Sequence, residues 1–310
     1  MNRPNEKPTV TIAICAYNEG PNIEHLLKTV VIQQTTKCVI EQIYIISDGS
    51  EDDTVEKIKA FKDDRIVLKD YKERKGKSFR LNEIYSTIKS DFMVQPDADV
   101  LLATPHVIEA VVEPMIENEK VGMTGGNSKA TKTETLVEKA VNCTHEAYQS
   151  MREHIRRGNN VYTATGRLIA LRREAYENLT VPHDTISNDH FVYFCIITKG
   201  FEYRYAPDAV VYFRLPQTLA DHVNQETRFS SAEHFMKRYF PTDVVDREYA
   251  IPREEFVSAV VRQFVKHPFL CVTIFGINLY CKFMALFTRY RTNALWDVVY
   301  STKVIKHAKK

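Results

Sequence analysis

Apolar residues in the first hundred positions switch repeatedly between short unbroken runs and a three-and-four repeat. Val10 to Cys15 is nearly continuous, as in a strand buried on both faces of a parallel sheet. A polar turn, Ala16 to Pro21, follows, and then Ile23, Leu26, Leu27 and Val30 fall on one face of a helix. Ile43 to Ile46 is a second strand ending in Ser47-Asp48-Gly49-Ser50, and its helix starts near Asp52-Asp53-Thr54 with Val55, Ile58 and Phe61 inward. Ile66 to Leu68 is a short third strand. A basic loop, Lys69 to Lys77, leads to a helix around Leu81, Ile84 and Ile88, and Phe92 to Gln95 is the fourth strand. This βαβαβαβ order predicts an α/β fold, a three-layer α/β/α sandwich around a mostly parallel sheet.

The later pattern is looser. Glu134 to Arg157 reads as a long helix with Leu136, Ala140, Val141 and Ala147 on one face, and Tyr203 to Val211 as a strand pair. Pro268 to Cys281 is a run of 14 residues without charge, interrupted by Lys282 before Phe283 to Phe287. A membrane span needs about 20 apolar residues. The pattern therefore predicts an amphipathic element on a membrane surface, with Tyr280, Tyr290 and Trp296 at headgroup level. The alternative packs the same residues on the protein itself or on a second subunit. Residues 1–250 are expected to form one catalytic domain and 251–310 a basic, apolar helical tail; no internal repeat is present.

Charge sharpens that division. The 310 residues carry a formal +2, yet residues 251–310 hold ten Lys/Arg against three acids, a net of +7. A basic tail on an acidic body suits an anionic partner such as a lipid surface. Six scattered cysteines without a C-x-x-C pair predict a reduced, cytosolic chain. The polar Met1 to Pro8 carries no secretory pattern.

Three strand ends are polar: Tyr17/Glu19, Asp48, and Asp97/Asp99. Side chains at the carboxyl ends of parallel strands can converge on one ligand. Asp97-Ala98-Asp99 offers two hard oxygen donors suited to Mn²⁺ or Mg²⁺ shared with phosphates, although Asp-x-Asp also occurs in plain turns. No G-x-G-x-x-G follows the first strand and no Walker loop occurs, since Lys75-Gly76-Lys77-Ser78 lacks the leading glycine. His145, His154, His183 and His190 lack metal-like spacing, and Asp189 could equally cap a helix starting near His190.

Taken in order from about residue 8 to 230, these segments resemble the family 2 glycosyltransferases, which have the GT-A fold. Ala13 to Glu19 resembles the first nucleotide-contacting segment, Ser47-Asp48-Gly49-Ser50 with Asp53-Thr54 the second, and Lys75-Gly76-Lys77 with Leu81-Asn82 the stretch near the pyrophosphate. Pro96-Asp97-Ala98-Asp99 occupies the metal motif. Thr165-Gly166-Arg167 resembles the acceptor-side segment, and Asn188-Asp189 the acidic pair whose second member is the base. Gln225-Glu226-Thr227-Arg228-Phe229 resembles the Q-x-x-R-W motif of the synthase-like branch. Two positions depart from the pattern: Asn188 replaces an acid, and Phe229 replaces Trp, which keeps an aromatic platform without the indole donor.

The resemblance implies inverting transfer of a sugar from a nucleotide-sugar donor, UDP favoured, to a lipid-linked or polysaccharide hydroxyl. Asp189 would be the base and Asp99 the direct metal ligand, with Asp97 nearby for the metal or donor. Tyr17, Glu19, Asp48, Lys77, Gln225 and Arg228 would hold the donor, and Gly166, Arg167 and Phe229 would line the acceptor side. The cofactor would be Mn²⁺ or Mg²⁺. The expected setting is the cytoplasmic face of a membrane reached through residues 262–296, with no nucleic-acid partner. Two other readings stay open: a nucleotidyltransferase on a similar sheet, and a non-catalytic nucleotide-sugar-binding scaffold.

Overall fold

The computed structural model describes residues 6–287, except for the side chains at 224, 227–231 and 281–287. Strand and helix alternate first as β1 (Thr9–Ala16), α1 (Gly20–Val30), β2 (Val39–Asp48), α2 (Thr54–Ala60), β3 (Ile66–Tyr71), α3 (Lys77–Thr87) and β4 (Phe92–Pro96). Then come β5 (Val100–Leu102), α4 (Val107–Glu117), β6 (Val121–Ala130), α5 (Leu136–His154), β7 (Leu168–Arg172), α6 (Arg173–Tyr176), α7 (Asn188–Thr198) and β8 (Glu202–Phe213). Four helices close the described chain: α8 (Leu219–Met236), α9 (Thr242–Tyr249), α10 (Arg253–Lys266) and α11 (Pro268–Phe287).

Among the described residues all the strands lie in one eight-stranded sheet of order β3-β2-β1-β4-β7-β6-β8-β5. The first four run parallel. β7 is antiparallel to both its neighbours, and β6 and β8 are parallel to each other. Alternation along β1 builds the two outer layers. Val10, Ile12 and Ile14 pack with Ile23, Leu26 and Leu27 of α1 and Val111 of α4. Ala13 meets Ile84 and Tyr85 of α3 and Val192 and Phe194 of α7 on the opposite face.

Two local expectations are corrected. Residues 202–213 form one strand rather than a pair, with a slip at Pro207 to Ala209, where the partners jump from Gly126 opposite Ala206 to Asn127 opposite Val210. Proline has no N–H for the ladder, and Asn127 Nδ2 donates to the Pro207 carbonyl at 3.0 Å across the irregularity. Leu136, the first helical residue after the N-cap Thr135 of a Thr135–Glu138 capping box, is exposed; Ala140 and Val141 do turn inward.

α10 and α11 pack against α5. Among the described residues no helix is long and apolar enough to cross a membrane. Tyr290 and Trp296 lie outside the described residues.

Candidate functional site

Parallel pairing of β1 with both β2 and β4 puts their carboxyl ends on one edge of the sheet, the edge on which open α/β sheets bind ligands. Asp97 and Asp99 leave β4 there. Lys77 opens α3 immediately after Gly76, whose φ of 91° places it in the left-handed region that glycine tolerates. The Lys77 ammonium pairs with Asp97 Oδ1. Antiparallel pairing of β7 brings Leu168 opposite Pro96, so that the Asp97 N–H donates to the Arg167 carbonyl at 3.3 Å. Gly166 then binds the base candidate directly: its N–H donates to Asp189 Oδ2 at 2.8 Å. A methyl group added at Gly166 would lie 3.4 Å from Asp97 Oδ2 and 3.7 Å from Asp189 Oδ2. The two acids therefore face one another across a glycine.

Electrostatics separate the acids into different states. Burial, with repulsion from Glu19 and Asp97, pushes the Asp99 carboxyl up to about 7. Burial also opposes the charge on Asp189. There the His190 imidazole and hydrogen bonds from Ser187 Oγ (2.6 Å), the Gly166 N–H and the His190 N–H (3.0 Å) prevail, and its pKa falls below the ordinary range. Burial works against the Lys77 ammonium too, but Asp97 more than offsets it and Lys77 stays protonated. Arg167 lies 3.6 Å above the Phe213 ring. Burial and Arg152 bring it down to about 10, while Asp97, Asp99 and Asp189 favour its charge. His190 is kept neutral to lower pH by burial, and its Nδ1 shares a 2.7 Å hydrogen bond with the Tyr249 hydroxyl.

Other candidate residues are engaged within the fold. Asp48 is 4% exposed, and both its oxygens are occupied: Oδ1 by the Lys75 N–H (2.9 Å) and Arg80 Nε (2.7 Å), Oδ2 by the Gly76 N–H (2.7 Å). It clamps the loop that delivers Lys77. Glu19 accepts from Asn22 Nδ2 at 3.1 Å, and the Arg74 guanidinium covers the Tyr17 ring at 3.8 Å. Asp189 is not the cap of α7; Ser187 holds that position and Asp189 falls in the first turn. Gln225 is half-buried on α8. The side chains of Arg228 and Phe229, on the same helix, lie outside the described residues.

Among the described residues no group of three His, Cys, Asp or Glu could hold a metal ion. The two carboxylates still fit a hard divalent cation that completes its shell with phosphate oxygens and water. A cation there would offset the burial, and relieve the repulsion from Glu19 and Asp97, that together push the Asp99 carboxyl up.

Sequence reasoning passed over Arg80, Ser187 and Tyr249. Each carries an ordinary polar type whose partner is remote in sequence or hidden in a loop; only the neighbourhood of Ser187 to Asp189 offered a signal.

Comparison with known proteins bears on the family and the fold. A family model described as glycosyltransferase like family 2 matches residues 8–232. The poly-beta-1,6-N-acetyl-D-glucosamine synthase of Staphylococcus aureus is 25% identical over 261 residues, covering 80% of this chain and 61% of that protein. Its Staphylococcus epidermidis counterpart is 23% identical over 241 residues, covering 75% and 57%. The chain thus spans about three fifths of the length of the curated relatives it matches. Among solved structures, the mannosyltransferase PcManGT from Pyrobaculum calidifontis, in complex with GDP-Man and Mn²⁺, superposes with a TM-score of 0.57 at 19% identity, covering 93% of this chain and 83% of that one. S. aureus TarS 1–349 in complex with UDP gives a TM-score of 0.57 at 12% identity, covering 83% and 72%. At these identities the structures establish the fold, that of the GT-A glycosyltransferases.

Proposed function

The chain belongs to glycosyltransferase family 2, and on that footing we propose that it is a metal-dependent inverting transferase acting on a UDP-sugar, hexose or N-acetylhexosamine. The acceptor is a lipid-linked or polysaccharide hydroxyl. Residues 1–250 carry the chemistry and 251–310 dock the protein on the cytosolic face of a membrane.

One observation carries the catalytic reading: Asp97, Lys77, Gly166 and Asp189 converge at one sheet edge with the base ionised. In this reading Asp189 accepts the acceptor hydroxyl's proton as that oxygen bonds to the anomeric carbon and the bond to the nucleoside diphosphate breaks. Its lowered pKa keeps Asp189 ionised and so able to take the hydroxyl proton, which becomes acidic as the new bond forms. Ser187 and the Gly166 N–H hold the carboxylate in one orientation. Lys77 and Arg167 contribute fixed positive charge. A divalent cation bound by Asp99, with Asp97 beside it, would neutralise charge on the departing diphosphate. The Mn²⁺ bound to PcManGT supports this choice of metal and the UDP bound to S. aureus TarS this choice of nucleotide, and the polymer made by the curated relatives supports the saccharide acceptor.

The test is nucleotide release from UDP-, GDP- and dTDP-sugars with Mn²⁺ or with EDTA. Wild type should release nucleotide from a UDP-sugar only with the metal. Asp189→Asn should lose about 10²–10⁴-fold in rate while still binding donor. Wild-type turnover by that variant would remove Asp189 from the mechanism.

The membrane reading rests on helices that are inside out. α10 buries Ala259 and Gln263 while Val257, Val261, Phe264 and Val265 face outward, and Phe269 and Phe275 of α11 are exposed as well. Apolar surface of this extent marks an interaction site, and a net of +7 over residues 251–310 matches an anionic bilayer. Wild type should pellet with phosphatidylglycerol vesicles, less so in high salt. The double variant Val265→Asp/Phe269→Asp should stay in solution. If it pellets equally, or if the changes instead dissolve a dimer that never bound vesicles, the membrane reading falls.

A further inference from the structure

Two cysteines far apart in sequence meet where α11 joins the domain. Cys143 of α5 is 4% exposed and Cys271 of α11 is half-buried, and both are free thiols. Their Sγ atoms lie 3.2 Å apart. A disulfide bond is about 2.05 Å long, so the sulfurs need to approach by only roughly 1.2 Å to bond. The seat that holds α11 here is thin. Among the described residues Ile274 is its one buried apolar side chain, in the same cluster as Ala140 and Val141 of α5. Phe269, Val272, Phe275 and Leu279 are exposed. On the other flank, His222 Nε2 of α8 donates to Asn278 Oδ1 at 3.4 Å.

We propose that Cys143 and Cys271 form a redox-closed cross-link that fixes α11 to α5, whatever reaction the sheet edge carries out. The oxidant is a low-molecular-weight disulfide such as oxidised glutathione. Cys271, the more accessible thiol, loses its proton to solvent and its sulfur bonds to one sulfur of the reagent. The reagent's own S–S bond breaks and one thiolate leaves. Cys143 then loses its proton, attacks the Cys271 sulfur and expels the second thiolate. Two protein thiols are oxidised to one disulfide, and the reagent is reduced to two thiols. Burial and the neighbouring sulfur push the Cys143 thiol up. That suits it to the second, intramolecular step, where a partner held in contact makes up for a scarce thiolate. Under reducing conditions the pair rests as thiols and packing alone seats α11; oxidation makes the attachment covalent. The cysteines are 128 positions apart, so the bond closes a long loop and takes much freedom from the unfolded chain.

The test equilibrates the full chain, purified under reductant, with glutathione at a series of oxidised-to-reduced ratios. Remaining thiols are then alkylated and tryptic peptides mapped without reductant. Wild type should yield a peptide pair joined through Cys143 and Cys271, lighter by the hydrogens lost. Fragmentation assigns the bond, because Cys271 and Cys281 fall in one tryptic peptide. Oxidised wild type should melt roughly 5 °C or more above reduced wild type, a gain that dithiothreitol abolishes. Cys143→Ser and Cys271→Ser should each lose the joined peptide and melt alike in both conditions. Cys271→Ser, at the half-buried position, carries the test if the buried substitution does not fold. Glutathione left on separate cysteines, or a bond that runs through any other cysteine, would overturn the pairing. A Cys143–Cys271 bond without a gain in melting temperature would overturn the fixing of α11 to the domain.

Discussion

Replacing Asp48 by alanine should destabilise the protein by about 3 kcal/mol. The carboxylate ends β2 inside the fold and faces Arg80, a guanidinium only 2% exposed. Arg80 Nε donates to Asp48 Oδ1 at 2.7 Å, NH1 donates to Glu83 Oε2 at 3.1 Å and NH2 donates to the Glu73 carbonyl at 2.9 Å. Its plane stacks on Tyr71 at 3.7 Å. Removing one partner of a buried pair leaves a charge uncompensated, which typically costs ~3–5 kcal/mol. The buried Gly76 N–H, 2.7 Å from Asp48 Oδ2, would also lose its acceptor, a further ~1–3 kcal/mol if taken alone. Glu83 would still neutralise part of Arg80 and the losses overlap, so the lower end of the first range is the expected sum. Urea or guanidinium unfolding at pH 7.5 measures it, with an unchanged m-value showing that the same transition is followed. Asp48→Asn keeps the shape and one acceptor oxygen, and should lose about half as much. A loss below about 1 kcal/mol for the alanine variant would refute the clamp. Asp48 would then be held in reserve for the nucleotide, and donor affinity rather than stability would carry the effect.

Two further outcomes follow from the acids at the sheet edge. Asp99 holds a proton up to about pH 7 in the folded state, whereas an unfolded aspartate releases it near ~4. Stability should therefore fall as pH rises through that window, and Asp99→Asn, measured in EDTA by thermal unfolding, should stabilise the metal-free protein by about 2–4 kcal/mol above pH 7 and hardly at all below pH 4; equal effects at both ends would remove the charge argument. Ser187→Ala withdraws a donor from the ionised Asp189, so the base's pKa should rise by about one to two units, a charge-assisted hydrogen bond converted at 1.36 kcal/mol per unit. The acid limb of the kcat/KM profile should move upward by that amount with little change in the plateau, and an unmoved limb would show that Ser187 does not orient the base.

By itself the sequence determined the local grammar of this protein. Val10 to Cys15, Ile43 to Ile46 and Phe92 to Gln95 are strands, and the helices between them begin where the periodicity changes, because the repeat of apolar positions is a property of neighbours along the chain. The types and order of Tyr17, Asp48, Lys77, Asp97, Asp99 and Asp189 were legible for the same reason. What each one touches was decided only in three dimensions. β7 runs antiparallel between β4 and β6, and that placement puts Gly166 between Asp97 and Asp189. Asp48 spends its oxygens on Arg80 and the loop before Lys77, and Ser187, at the N-cap position of α7, gives its hydroxyl to Asp189 rather than to the helix backbone. α10 and α11 turn large apolar residues outward. A side chain's type fixes how many hydrogen bonds and how much apolar surface it brings. Its partner, and hence its burial and charge state, is assigned by segments tens of residues away that meet it only when the sheet has formed.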